Sequence, residues 1–86
     1  MIRVMTADDH PVVRAGLCAL LANESDLELV AEARDGAEAL AMYEAYKPDV
    51  VLMDLRMPQM DGVDAIERIR EAHPDARIVA LTSYEG

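Results

Sequence analysis

The hydrophobic and polar positions of this chain divide it into short apolar runs separated by longer segments with helical periodicity. The apolar runs predict four β-strands, at residues 2–7, 27–33, 49–53 and 77–81. The run Val50-Val51-Leu52-Met53 is the most hydrophobic of them, which is typical of a central parallel strand covered by helices on both faces. Strands that alternate with helices indicate an α/β fold with a parallel sheet and right-handed crossovers.

Residues that favour helix ends separate the strands. Proline suits the first helical position, and an aspartate followed three positions later by a glutamate forms the start of a capping box. Asp35 and Glu38 have this spacing. The predicted helices run from Pro11 to about residue 22, from Asp35-Gly36 to Lys47-Pro48, and from Asp61 or Gly62 to about His73-Pro74.

The first predicted helix carries an apolar stripe formed by Val13, Leu17, Leu20 and Leu21. Cys18 falls within this stripe, so we expect it to be a small buried hydrophobic residue and not a reactive thiol. A single cysteine cannot form an internal disulfide bond, which fits a reducing, cytoplasmic environment.

Composition supports one small folded domain and limits its partners. The chain has 86 residues, of which 52% are hydrophobic, and its only aromatic residues are three tyrosines, so the core must be mainly aliphatic. The net charge of −9 opposes direct contact with nucleic-acid phosphates and suits a cation or a basic partner. We find no signal peptide and no apolar run near the length of a membrane helix.

Four candidate site residues follow the predicted strands. Asp8 and Asp9 follow the first strand, Asp54 the third and Thr82 the fourth. Ligands of open α/β sheets bind at the carboxyl ends of the strands, so the three carboxylates converge if the first and third strands are neighbours. Two charges about 4 Å apart repel by about 4 kcal/mol at a dielectric constant near 20, which favours either a protonated carboxylate or a bound cation. Hard oxygen ligands favour Mg²⁺.

Each of these signals is weak when taken alone. An Asp-Asp pair often caps a helix, and a threonine at a strand end often bonds only to the backbone. Asp54 is more unusual because it follows a strongly apolar run, where a charge requires a partner. The coincidence at one sheet edge favours a site in which Asp54 is either a metal ligand or a nucleophile that forms an acyl phosphate. For the neighbouring His10 we expect a capping or surface role.

The motifs at these positions resemble those of a known family. The segments 7–11 (Ala-Asp-Asp-His-Pro), 54–62 (Asp-Leu-Arg-Met-Pro-Gln-Met-Asp-Gly) and 81–83 (Leu-Thr-Ser) resemble the receiver domain of two-component response regulators. The first segment, with 12–17, is similar to the NarL/FixJ-type (LuxR-type) branch. The resemblance covers the whole chain and implies a three-layer flavodoxin-like fold with strand order 2-1-3-4(-5).

The resemblance also implies a role for each site residue. Asp54 matches the phosphoacceptor, Asp9 a direct Mg²⁺ ligand and Asp8 a ligand acting through water. The backbone carbonyl of Arg56 matches the group that completes the metal site, and Thr82 matches the switch hydroxyl that contacts the phosphoryl group. The Arg56 side chain could tune access to the pocket, and Met57 and Ser83 are further candidates for tuning. We expect Met57, together with Met53 and Met60, to serve mainly in packing.

For its partners, the resemblance implies a sensor histidine kinase as phosphodonor and a helix-turn-helix DNA-binding domain in the full-length protein. The family's fifth strand and last two helices, with their lysine and aromatic switch residue, have no counterpart in these 86 residues. We therefore expect metal binding in this segment but inefficient phosphoryl transfer and switching. We also expect it to dimerise, swap elements or aggregate through the exposed fourth strand.

Three other functions are consistent with parts of the sequence. A truncated receiver or pseudo-receiver could act as an interaction module without phosphorylation, in keeping with the absent lysine. A small Mg²⁺-dependent phosphatase with an aspartyl nucleophile usually has a second acid two residues later, where this chain has Arg56. A flavodoxin-like FMN binder is disfavoured because no phosphate-binding loop rich in Ser, Thr and Gly follows the first strand. We therefore predict a signalling domain and not an enzyme.

Overall fold

The computed structural model describes residues 1–57 and 60–81. It contains four strands and three helices in strict alternation. The elements are β1 (Ile2–Ala7), α1 (Pro11–Ala22), β2 (Leu27–Ala33), α2 (Gly36–Tyr46), β3 (Val50–Asp54), α3 (Gly62–Ala72) and β4 (Ile78–Leu81).

The four strands form one parallel sheet in the order β2-β1-β3-β4. This order confirms the flavodoxin-like prediction. It makes β1 and β3 neighbours, with Ala7 paired to Met53 at their carboxyl ends. The pairing of β1 with β2 shifts register between Val4 and Met5. Because the strand order reverses between β1 and β3, the carboxyl ends of these strands border the crevice where such sheets bind ligands.

The hydrophobic core lies between the sheet and the pair α2 and α3. Right-handed crossovers place these two helices on one face and α1 on the other. Met5, Val51 and Met53 from the sheet are fully buried with Ile69 of α3. Met57 also lies in this core cluster, with Met60 packed against it, as expected for packing residues. The core rests on aliphatic and methionine side chains, with Tyr43 as its one aromatic member among the described residues.

The predicted strand limits agree closely with the structure. The limits of β1 and β2 are confirmed, whereas β3 begins and ends one residue later than predicted and β4 begins one residue later. The later end of β3 places Asp54 inside the strand, paired with Leu81 of β4. The backbone of Asp54 is thereby held as part of the sheet.

The helix ends follow the capping residues read from the sequence. The Asp35 carboxylate accepts from the Glu38 N–H at 2.8 Å, and the Asp61 carboxylate accepts from the Asp64 N–H at 2.9 Å. Glu38 in turn accepts from the Arg34 N–H at 2.8 Å, one residue earlier than a standard capping box. Each aspartate thus satisfies one of the otherwise unpaired N–H groups of its helix.

The predicted burial of Cys18 is wrong. The thiol is exposed, and so are Val13 (42%) and Leu20 (66%) of the same predicted stripe; Leu21 is the buried residue of α1. The physical reason is that α1 stands alone on its side of the sheet in residues 1–57 and 60–81. Helical spacing indicates which residues share a face, but it does not indicate whether a second element covers that face.

Two glycines bring backbone segments into close approach. A Cβ atom on Gly62 would lie 2.6 Å from the Leu55 Cα atom and even closer to the Asp54 carbonyl oxygen. A Cβ atom on Gly36 would lie 2.7 Å from the Met60 Cβ atom, and the Gly36 N–H donates to the Met60 carbonyl at 3.0 Å. The absence of a side chain thus allows Gly62 to lie against the end of β3 and Gly36 to lie against Met60.

Candidate functional site

The sheet brings Asp8, Asp9 and Asp54 together at the carboxyl ends of β1 and β3. Asp8 directly follows β1, and its N–H donates to the Ala33 carbonyl at 3.0 Å, which continues the pairing with β2 beyond the strand. Asp54 is the last residue of β3. Because both anchors are backbone contacts of the sheet, Asp8 and Asp54 meet as predicted.

Two of the three carboxylates are almost completely removed from solvent. Asp54 is 1% exposed and Asp8 is 2% exposed, whereas Asp9 is half-buried. Asp54 Oδ1 accepts from the Arg56 N–H at 3.1 Å. Asp54 Oδ2 and Asp9 Oδ1 are buried oxygens for which residues 1–57 and 60–81 provide no hydrogen bond. A buried oxygen without a donor is costly, so these atoms indicate a site for an external ligand.

The imidazole of His10 lies within this carboxylate cluster. Its Nδ1 atom is 3.1 Å from Asp8 Oδ1, 3.2 Å from Asp9 Oδ1 and 3.4 Å from Asp54 Oδ2. His10 is the N-cap residue of α1, but its side chain makes no capping hydrogen bond, so the predicted capping role of the side chain is wrong, whereas the ring does reach the surface, with 43% of the side chain exposed. The sequence signal was present, since His10 directly follows two of the predicted acids.

The cluster changes the protonation behaviour of His10. The hydrogen bond with Asp8, opposed by burial and assisted by the charges of Asp9, Asp8 and Asp54, raises the pKa of His10 above its ordinary value. A raised pKa means that this contact contributes its stability below the pKa of the unfolded state and loses it as pH rises through the folded value. When it is protonated, the His10 ring offsets part of the negative charge of the three carboxylates.

The donor set fits a small divalent cation. One ligand atom from each of Asp8, Asp9, His10 and Asp54 lies within 4.8 Å of the others. Hard carboxylate oxygens are the preferred ligands of Mg²⁺, and the two buried oxygens without hydrogen bonds are free to coordinate it.

The remaining predicted site residues do not contribute side chains to the carboxylate cluster within the described part of the chain. Arg56 is exposed and contributes its N–H to Asp54, while Met57 is buried in the core. Thr82 and Ser83 lie outside the described residues, so their predicted roles stay predictions. The other histidine, His73, lies away from the cluster, with its Nε2 atom 2.6 Å from Glu44 Oε1.

A parallel sheet of this strand order with carboxylates at its edge is typical of a class of signalling domain. The sequence model of the family described as the response regulator receiver domain matches residues 4–86. This chain therefore belongs to the response regulator receiver family.

Three similar proteins illustrate the relationship. The chain is 51% identical over 83 residues to the uncharacterized transcriptional regulatory protein YhcZ of Bacillus subtilis, covering 96% of this chain but 39% of that protein. A LuxR-family response regulator from Aurantimonas superposes with a TM-score of 0.92 at 40% identity, covering 100% of this chain and 61% of the other. The CheX–CheY–BeF3–Mg²⁺ complex of Borrelia burgdorferi gives 0.91 at 27% identity, covering 96% and 63%. The LuxR-family neighbour agrees with the LuxR/NarL-type assignment, and the chain spans about two-fifths of YhcZ.

None of the helices in residues 1–57 and 60–81 combines the length and the apolar character required to cross a bilayer.

Proposed function

We propose that this chain is the phosphoacceptor part of a response regulator, in which Asp54 receives a phosphoryl group and Asp8 and Asp9 help to hold Mg²⁺. The observation that carries the proposal is the Asp54 Oδ2 atom: it belongs to a 1% exposed side chain, has no hydrogen bond from the described residues and lies beside two further carboxylates. A purely structural aspartate would be expected to use both oxygens in bonds to protein donors.

The chemistry follows from how Asp54 is held. The Arg56 N–H donates to Oδ1 and orients the carboxylate, one oxygen of which is the nucleophile while the other binds the metal. The donor is a phosphohistidine of a sensor kinase: a bond forms between an Asp54 carboxylate oxygen and phosphorus, the bond between phosphorus and the donor nitrogen breaks, and the donor imidazole leaves with the electron pair and takes a proton. This step needs positioning and charge neutralisation more than covalent assistance, and the rigid end of β3 provides the positioning.

Charge neutralisation is the role assigned to the metal. When bound, Mg²⁺ stabilises the negative charge of the transferred phosphoryl group. Asp9 and Asp54 are the proposed direct ligands, Asp8 acts through water, and the Arg56 carbonyl completes the set. Thr82 is the proposed hydroxyl that contacts the phosphoryl group after transfer.

The proposed output is transcriptional and lies outside these residues. YhcZ is described as a transcriptional regulatory protein, and the matched region is 39% of its length. We propose that a DNA-binding helix-turn-helix domain of the same protein carries the response in the cytoplasm, with the sensor kinase as its upstream partner. The receiver itself, with a net charge of −9, is unsuited to bind DNA directly.

The proposal is tested by incubating the protein with Mg²⁺ and the small phosphodonor acetyl phosphate, followed by intact mass spectrometry. We expect a single phosphoryl adduct that depends on Mg²⁺ and is absent in Asp54→Ala. The exposed Asp75 in the turn before β4 provides a matched control, because Asp75→Ala removes a carboxylate far from the cluster and should retain the adduct.

Two outcomes would contradict the proposal. Persistent absence of any adduct in the wild-type protein would favour an interaction module that is not phosphorylated. Continuous turnover of many donors without an accumulated adduct would favour a phosphatase.

The exposed edge of the sheet supports a second proposed partner, another copy of this chain. Within the described residues β4 pairs on one side with β3, and Val79 on this strand is 51% exposed. An apolar strand edge with unpaired N–H and C=O groups is a template for pairing with another strand. We therefore expect the 86-residue chain to self-associate as concentration rises.

Sedimentation velocity across a range of concentrations tests this prediction. Val79→Lys should shift the distribution towards monomer, because a charge on an edge strand opposes pairing. Val63→Lys is the matched control, since Val63 on α3 is 49% exposed and lies outside the sheet. A wild-type chain that stays monomeric at high concentration would refute the prediction, as would equal effects of the two lysines.

A further inference from the structure

A cleft of about 350 Å³ lies between β2 and the C-terminal half of α2. Residues Leu29–Glu32 of β2 form one wall, and Met42 and Tyr46 of α2 form the other. Consecutive strand residues point to opposite faces of a sheet, so a wall of four consecutive residues runs along the edge of β2 and not over one face. The volume falls in the range of clefts that bind ligands. We call these residues the β2–α2 cleft; none of them belongs to the acidic cluster.

The β2 wall presents backbone groups that the sheet does not use. In the described part of the chain β2 pairs with β1 and with no other strand. Two consecutive β1 residues lie opposite Leu29 and Ala31, so Val30 between them has no partner. An extra residue of this kind is a β-bulge, and it is left out of the ladder. The N–H and C=O groups along this edge are therefore available to an incoming extended chain.

The α2 wall offers an apolar surface. Met42 and Tyr46 are four positions apart, which places them on one face of the helix. Tyr46 is 47% exposed, and Met42 is half-buried against the core. Methionine is flexible and polarizable, and tyrosine combines an apolar ring with a polar tip, so both residues are favoured in binding surfaces. This wall therefore suits an apolar side chain of a partner.

The charge of the cleft favours a basic partner. Glu32 is its one charged member, and Glu32 Oε1 lies 4.0 Å from Arg14 Nε, which is too far for a hydrogen bond. Arg14 Nε also has no hydrogen bond from the described residues, so the two groups do not satisfy each other. A Lys or Arg side chain of a partner would give Glu32 a closer cation. The net charge of −9 opposes a second copy of this chain or a nucleic acid in the same position.

We propose that the β2–α2 cleft binds an extended, basic segment of a partner protein. The backbone of the segment bonds to the edge of β2, one apolar side chain enters between the two walls, and one Lys or Arg side chain pairs with Glu32. The bulge at Val30 interrupts the regular ladder, which limits the pairing to a short segment and disfavours the long edge-to-edge pairing of two sheets. This interaction goes beyond the proposed phosphoryl transfer and uses none of its residues.

The probe is a displayed library of random peptides of about eight residues, the length of one strand. The library is selected on the wild-type chain at a concentration at which the chain is monomeric. Counter-selection on Tyr46→Ala, which removes the exposed ring of the cleft, discards peptides that bind elsewhere. We expect the enriched peptides to combine apolar residues with Lys or Arg. Methylation of alternate backbone nitrogens of an enriched peptide should abolish binding in one of the two possible registers, because it removes the hydrogen bonds to β2.

Matched variants locate the site of an enriched peptide. Glu32→Lys should weaken its binding about tenfold, because an attractive charge is replaced by a repulsive one. Glu28→Lys is the control, since Glu28 is exposed on the same strand but lies outside the cleft, and it should change the affinity less than about twofold. Glu32→Gln keeps the shape of the side chain, serves if the lysine variant does not fold, and should give a smaller loss. The amide resonances of residues 29–32 should shift most when the peptide is added to ¹⁵N-labelled protein.

The inference is overturned if no peptide remains after counter-selection, or if the enriched peptides lack basic residues. It is also overturned by equal losses in Glu28→Lys and Glu32→Lys, or by resonance shifts confined to another face of the protein. If Tyr46→Ala instead converted wild-type oligomers to monomers, the occupant would be a second copy of the chain and not a basic segment. None of these measurements involves the Asp54 adduct, so a failure here is distinct from a failure of phosphoryl transfer.

Discussion

Replacing Gly62 with alanine should destabilise the folded protein by about 3 kcal/mol or more, because backbone cannot yield to the added methyl group. The new Cβ atom would lie 2.6 Å from the Leu55 Cα atom and 2.9 Å from the Asp54 carbonyl carbon. These atoms belong to the end of β3 and the residue after it, where the Gly62 N–H donates to the Leu55 carbonyl at 3.0 Å. Relief of the clash would break that hydrogen bond and displace the loop.

Urea unfolding followed by circular dichroism measures this loss as a lower midpoint at an unchanged slope. Gly16→Ala is the matched control, since Gly16 lies within α1 and nothing lies within 4 Å of its added Cβ atom. There we expect a gain of about 0.5–1 kcal/mol from improved helix propensity. If Gly62→Ala unfolded at the midpoint of the wild type, the close approach would not constrain the fold.

Asp54→Asn should have the opposite effect on the metal-free protein and stabilise it by about 1–2 kcal/mol. The substitution removes a buried negative charge. One carboxylate oxygen of Asp54 lies within 4.8 Å of a carboxylate oxygen of Asp8 and of Asp9. The amide oxygen can still accept from the Arg56 N–H, which now bonds at 3.1 Å. The wild type should instead gain stability from Mg²⁺, by about 2.7 kcal/mol at a hundredfold excess over the dissociation constant.

Thermal unfolding with a chelator and with excess Mg²⁺ tests both parts of this prediction. The variant should be more stable than the wild type with chelator, and it should gain little from the metal. Asp75→Asn changes an exposed carboxylate outside the cluster and should behave as the wild type in both conditions. If the metal-free variant were less stable than the wild type, the contacts of the Asp54 carboxylate would stabilise the fold more than repulsion from the neighbouring carboxylates destabilises it.

Much of the fold could be predicted because its signals are local. The apolar runs gave β1 and β2 with their observed limits. The end of β3 differed by one residue because Asp54 continues the ladder with Leu81, although its side chain is charged. The charged side chain of Asp54 suggested that the strand had ended, whereas strand limits depend on backbone pairing with a neighbour. The convergence of Asp8, Asp9 and Asp54 followed from topology, since the strand order places the ends of β1 and β3 together.

The errors concern relations between distant segments. Burial of Cys18 depends on what lies against α1, and periodicity within the helix contains no information on that. The role of His10 depends on Asp54, which is 44 positions away and becomes its neighbour only in the folded sheet. The close approaches of Gly36 and Gly62 to other backbone segments also arise only in the folded protein. The sequence shows no more than that each glycine follows an aspartate that caps a helix.

The hydrogen bond from the Gly36 N–H to the Met60 carbonyl places a reporter at a distance from the acidic cluster. Met60 lies in the segment between β3 and α3, whereas Gly36 is the first residue of α2. Amide hydrogen exchange at Gly36 therefore measures how often that segment separates from α2. A change in that exchange rate on addition of a cation would show that the acidic cluster and the start of α2 are coupled, with no label introduced near the chemistry.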